Sequence, residues 1–138
     1  MQTFQHQAIT AGADCAVLHI AGEVDIYTAP KLREQVIELV DGGVRHVIAD
    51  LLGVDFLDST GLGVLVGSLK RLRIHDGTLK LAARPGKTLE ILELTGLTRA
   101  FAIYPSVLDA VTSDEHWQQA VTAEGLNPED WCRKHGLL

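Results

Sequence analysis

A chain of 138 residues, 46% of them apolar, is long enough to bury one hydrophobic core without disulfide or metal staples. A net charge of −6 argues against bulk binding to nucleic acid or to an anionic membrane, and no apolar run approaches a membrane span. The opening residues, MQTFQHQAIT, have neither the basic start nor the apolar stretch of an export signal, so the cytoplasm is the expected compartment and Cys15 and Cys132 are expected as free thiols.

Two strand patterns come first, TFQHQAI and CAVLHIAG, with GADC as the turn between them. From Thr28 to Val40 the apolar residues Leu32, Val36, Leu39 and Val40 fall on one helical face, with Pro30 near the start and Asp41-Gly42-Gly43 at the end. VRHVIADLL reads as a buried strand. A second helical face follows in Leu62, Leu65, Leu69 and Leu72, with Lys70, Arg71 and Arg73 near its C-terminal end, where they complement the helix dipole. LKLAA is a further strand, Pro85 opens a helix that ends at Gly96, AFAIYP is a last short strand, and another helix begins at about Ser106. Strands alternating with helices predict an α/β domain whose sheet is partly parallel and made mixed by the opening hairpin. Residues 114–138 read as an appendage of two short helices, the second capped by Asn127 with Pro128 in its first position. This appendage holds both tryptophans and half of the net negative charge.

The stretch FLDSTGLGVLV, residues 56–66, is unusual for a helix start. Asp58, Ser59 and Thr60 are all N-cap residue types, and one cap suffices. Gly61, Gly63 and Gly67 follow, although each glycine in a helix interior costs about 0.5–1 kcal/mol relative to alanine. Two reasons could justify them. A bare backbone admits a partner close to the first turn, or it lets the helix lie tight on the sheet; the two could hold on different faces.

Catalytic motifs fail on spacing. The residue after Gly67 is Ser68 where a phosphate-binding loop needs lysine, a dinucleotide fingerprint counted from Gly61 ends on Val66, and a nucleophile elbow around Ser59 meets Leu57 where glycine is required. The six histidines show no close metal-ligand spacing, so neither a metal nor a cofactor is expected, nor an enzyme. What fits is a regulated hydroxyl. A helix N-terminus welcomes an anion, so a phosphate there, carrying about −1.5 to −2 charges, would spare the helix while disturbing a docked partner.

The segment DFLDSTGLGVLVGSLKRLR, with IAGEVDIYTAPKLRE and RHVIADLLGVDFLD upstream and LKLAARPGKTLEILELTGLTRAFAIY downstream, resembles the single-domain STAS proteins of bacteria, specifically the anti-sigma-factor antagonists. The likeness covers about residues 3–113. It implies a STAS domain over 1–113, with a mixed four- to five-stranded sheet and helices mainly on one face, followed by a helical extension over 114–138. It also implies partner switching in transcription regulation, of the stress-response kind. The unphosphorylated antagonist binds an anti-sigma factor that is also a serine kinase, and a sigma factor is released. Phosphorylation blocks that docking, and a phosphatase reverses it; the ATP belongs to the partner. The resemblance makes Ser59 the phosphate acceptor, with Thr60 the second candidate. Glu23, Asp25, Asp58, Thr60, Gly61 and Gly63 become the partner-binding residues. Two alternatives stand beside this reading. One is a STAS module that docks constitutively, such as a small subunit on a transporter ATPase; the other is a nucleotide-binding regulator.

Overall fold

The computed structural model describes residues 3–138. Five strands, β1 (Gln5–Ala11), β2 (Cys15–Val24), β3 (His46–Leu57), β4 (Thr78–Ala82) and β5 (Ala102–Tyr104), form one sheet in the order β1-β2-β3-β4-β5. The hairpin β1–β2 is antiparallel and the other pairings are parallel, so the sheet is mixed. Helices α1 (Ala29–Asp41), α2 (Ser59–Ile74) and α3 (Lys87–Leu94) connect the parallel strands. A 3₁₀ turn over Leu97–Arg99 precedes β5, a piece the sequence reading leaves unassigned.

This order places the helices. Strands β2 to β5 step across the sheet in one direction, and right-handed crossovers in such an order all fall on the same face. Leu32, Val36 and Val40 of α1 and Leu62, Leu65, Leu69 and Leu72 of α2 accordingly share one core with Leu18 and Ile20 of β2, Val47 and Ala49 of β3, and Leu79 and Leu81 of β4. Leu92 of α3 joins them.

The opposite face is left for the chain's end. Helices α4 (Val107–Thr112), α5 (Glu115–Thr122) and α6 (Pro128–Lys134) cover it. Val107, Val111, Trp117, Val121, Trp131 and Cys132 meet Ile9, Cys15, Val17, Ile48 and Ala82 from the sheet in a second core. Trp117 and Trp131 are fully buried, so the extension docks on its own domain with the two tryptophans as anchors. The Asn127 cap acts as the sequence suggests: its Oδ1 accepts from Asp130 N–H at 2.8 Å with Pro128 in the first turn. Asp114 caps α5 by accepting from His116 and Trp117 N–H, a cap the sequence reading does not name. Cys15 and Cys132 are buried free thiols.

Strand β3 runs five residues past the apolar run that marks it in the sequence. It carries an irregular register against β2, with His19 opposite Asp50, Ala21 opposite Gly53, Gly22 opposite Val54 and Glu23 opposite Phe56. Twice, one residue of β2 is matched by two of β3. Each extra residue breaks the alternation of faces and bends the strand. Leu51, Val54 and Leu57 are thereby the buried positions in its second half, and Phe56 is turned outward.

Candidate functional site

The irregular end of β3 delivers the chain to the start of α2. Asp58 is the N-cap, extended in its backbone, and its Oδ1 accepts from the N–H groups of Thr60 at 2.9 Å and Gly61 at 3.1 Å. Its own N–H donates to Val24 O at 3.2 Å, which ties the helix start to the end of β2. Of the three residues able to cap, Asp58 alone does so. Ser59 and Thr60 occupy the first two helical positions. Ser59 is exposed, and its hydroxyl makes no hydrogen bond among the described residues. Ser59 is the first residue of a sixteen-residue helix, at its positive end.

The glycines divide between the two reasons open at the sequence level. Gly61 is buried. A Cβ there would collide with Leu57 Cδ1 and come within 2.8 Å of Val24 Cγ1, so this glycine lets the helix lie tight on the strand ends. At Gly63 and Gly67 a Cβ would meet nothing within 4 Å. Both line an open groove of about 680 Å³ between α1 and α2, together with Thr60, Val64, Arg33 and Arg71. Packing explains Gly61; access fits Gly63 and Gly67.

The loop after β2 forms the neighbouring wall. Asp25 Oδ1 accepts from Tyr27 N–H at 2.9 Å and Thr28 N–H at 3.1 Å, and Asp25 N–H donates to Thr28 Oγ1 at 2.9 Å. The Thr28 hydroxyl in turn reaches Glu23 O at 2.8 Å. One oxygen of Asp25 is thus spent on shaping the loop that starts α1. Glu23 is half-buried and lies across the sheet from Phe56.

Three residues that the sequence reading passes over stand out on this edge. Tyr27 is 79% exposed, Ile26 59% and Phe56 48%. Contiguous apolar surface of this kind marks interaction sites. Ile26 and Tyr27 sit in the loop organised by Asp25, and Phe56 is two residues before the cap. The sequence signal was weak: apolar residues beside polar neighbours, as in Asp25-Ile26-Tyr27-Thr28 and Asp55-Phe56, do not show which way they face until the register of β3 and the loop turn are known.

Among the described residues, the group with the donor types and spacing for a metal is elsewhere, at Asp14, Cys15 and His116.

The chain is similar to known proteins over most of its length. Residues 7–110 match the STAS domain family. An anti-sigma-B factor antagonist of Bacillus subtilis is 41% identical over 80 residues, which cover 58% of this chain and 72% of that protein. A crystal structure of an anti-sigma factor antagonist from Mycobacterium paratuberculosis superimposes with a TM-score of 0.74 at 29% identity, covering 80% of this chain and 93% of that one. The unphosphorylated form of the antagonist SpoIIAA shares the fold, with a TM-score of 0.66 at 21% identity over 81% of this chain and 98% of that one. This chain therefore belongs to the STAS-domain family, and the relatives it resembles within that family are anti-sigma factor antagonists.

Proposed function

We propose that this protein is an anti-sigma factor antagonist switched by phosphorylation of Ser59. In this reading its unphosphorylated form binds an anti-sigma factor that is also a serine kinase, which releases a sigma factor, and a phosphatase returns the phosphorylated form to service. The chain acts as a regulator and as the kinase's substrate. The observation that carries the reading is the division of labour at the start of α2: Asp58 takes both capping hydrogen bonds, and the exposed Ser59 hydroxyl is left uncommitted.

The physics of the switch follows from the surroundings. A phosphate on Ser59 adds about −1.5 to −2 charges at the positive end of a helix, so the fold tolerates it. The docking edge does not. It is apolar through Ile26, Tyr27 and Phe56 and already acidic through Glu23, Asp25 and Asp58. A partner seated there would have to strip water from a dianion against apolar surface, and the resulting desolvation and like-charge costs come to about 2–4 kcal/mol. Gly63 and Gly67 keep the first turns of α2 open on the side facing α1.

The experiment is co-incubation with a candidate anti-sigma kinase and ATP, read by intact mass and phosphosite mapping. One added phosphate that disappears in Ser59→Ala is the expected result. Ser59→Asp, which brings one charge where the phosphate brings up to about two, is expected to weaken binding of the anti-sigma factor by about 10- to 100-fold, roughly 1.4–2.8 kcal/mol, with circular dichroism unchanged. A phosphate mapped to Thr60 would move the acceptor by one residue. Tight binding that Ser59→Asp leaves intact would favour a STAS module that docks without a switch.

A further inference from the structure

On the second face of the sheet, away from Ser59, three donor groups of different chemistry converge. Asp14 and Cys15 close the β1–β2 hairpin, and His116 lies in the first turn of α5. His116 Nε2 is 2.9 Å from Asp14 Oδ1, Cys15 Sγ is 3.6 Å from the same oxygen, and the three donor atoms all fall within 4.8 Å of one another. The geometry points to a Zn²⁺-class metal site made by Asp14, Cys15 and His116, which would staple the C-terminal extension to the hairpin of the domain.

Several features support it. A tetrahedral zinc ion with ordinary bond lengths holds its N, O and S ligands about 3.3–3.7 Å apart. The two spacings to Asp14 Oδ1, 2.9 and 3.6 Å, lie close to that, and His116 Nε2 and Cys15 Sγ, within 4.8 Å of each other, close the remainder by a small turn of the exposed His116 side chain. A thiolate, an imidazole and a carboxylate select a borderline metal such as zinc over calcium or magnesium, which take oxygen ligands. The site is charge-balanced: a thiolate and a carboxylate neutralise the dication, and the thiol proton leaves to solvent on binding. The hairpin is fixed in place, because Asp14 O accepts from the N–H groups of both Arg45, at 2.8 Å, and His46, at 3.0 Å. Around the site, the His46 ring packs against that of His116 with centroids 4.4 Å apart, its Nδ1 lies 2.9 Å from Thr78 Oγ1, and its Nε2 stands 3.9 Å from the second oxygen of Asp14. That places His46 to orient the carboxylate from the outer shell. Lys80, the nearest buried cation, is neutralised by Asp114 at 2.6 Å. Asp14 and His116 are partly open to solvent, which gives an ion a way in.

Asp14 and His116 are 102 residues apart, so no spacing motif could have announced the site. The test is a Co²⁺ titration of the full chain after chelator treatment. A near-ultraviolet thiolate-to-cobalt band and visible bands of tetrahedral intensity are expected at one equivalent, displaced by Zn²⁺. Cys15→Ser should remove the thiolate band and Cys132→Ser should keep it. His116→Ala, at an exposed position that the fold tolerates, should weaken binding at least as much as loss of an outer-shell partner does, about 10–100-fold. Zn²⁺ should also raise the thermal midpoint of the wild type and leave that of His116→Ala unmoved. Absence of the thiolate band, its survival in Cys15→Ser, or unchanged affinity and thermal response in His116→Ala would each overturn the assignment.

Discussion

Gly61 and Gly63 stand two residues apart on α2 and answer to opposite demands. At Gly61 an added methyl meets Leu57 and Val24, both fully packed. Gly61→Ala should therefore destabilise the protein by about 1–3 kcal/mol, the usual cost of overpacking. At Gly63 the same methyl meets open space in a helix interior, so Gly63→Ala should stabilise by about 0.5–1 kcal/mol. Urea melts of the two variants check the pair of signs. If Gly63 serves as an access point for a partner, the stabilised variant should lose affinity for the anti-sigma factor while Gly61→Ala loses stability. Asp58→Ala removes two capping hydrogen bonds and should cost about 1 kcal/mol of fold stability. The same melts would show it.

At the scale of elements, the junction of β4 with α5 is held by one ion pair. Lys80 is a charged residue 9% exposed in the second face of the sheet, and its Nζ lies 2.6 Å from Asp114 Oδ2. The other oxygen of Asp114 caps α5 through His116 and Trp117 N–H. Burial works against the charge on Asp114, yet the Lys80 hydrogen bond and charge, with the two backbone donors, hold its carboxyl below the ordinary value. Asp114→Ala loses the cap and strands a buried ammonium, so it should destabilise by about 3–5 kcal/mol. Lys80→Met in that background should recover much of the loss, because an apolar side chain of similar length removes the stranded charge. Chemical denaturation of the two single variants and the double variant closes that cycle.

The whole molecule is a sheet with two differently made cores. The helices of the crossovers cover one face, and α4, α5 and α6 cover the other. Both tryptophans of the chain lie in the extension and are fully buried, so intrinsic fluorescence reports its docking. Acid should loosen that docking in two steps. His46 is held below its ordinary value of 6.5 by burial first and then by the neighbouring charge of His116, so it stays neutral in the fold and protonates more readily when unfolded. The stability this gives is present above about pH 6.5 and is lost as pH falls through the lower folded value. Asp14, lowered chiefly by its hydrogen bond to His116, and Asp114 follow below about pH 4, their stabilisation being present above the unfolded value of 3.8 and lost beneath it. The thermal midpoint followed by tryptophan emission should fall in both windows, and His46→Asn should flatten the upper one. Deleting residues 114–138 strips Trp117, Val121, Trp131 and Cys132 from the second core, and the truncated chain should bind a hydrophobic dye and melt at lower temperature.

Local rules set much of this molecule. Helix periodicity marked Leu32, Val36 and Val40, cap chemistry marked Asn127 with Pro128, and the Asp58-Ser59-Thr60-Gly61 run marked the start of α2. All depend on contacts within a few residues. The composition marked the appendage and its two tryptophans, and the tertiary structure showed that they pack on the domain. Tertiary structure decided the rest, because the rest depends on contacts between residues far apart in the chain. The extra residues in β3 are defined only against β2, and they turn Phe56 out and Leu57 in. Which of three capping residues caps, and so which hydroxyl stays free, required the backbone at Asp58. Asp25 proved to organise its own loop through Thr28. Gly61 and Gly63 were alike as letters and were separated by what stands opposite them, and Asp14, Cys15 and His116 became neighbours when α5 folded back across the sheet. A sequence specifies local geometry directly, whereas adjacency between distant segments exists only once the sheet has fixed where each strand ends.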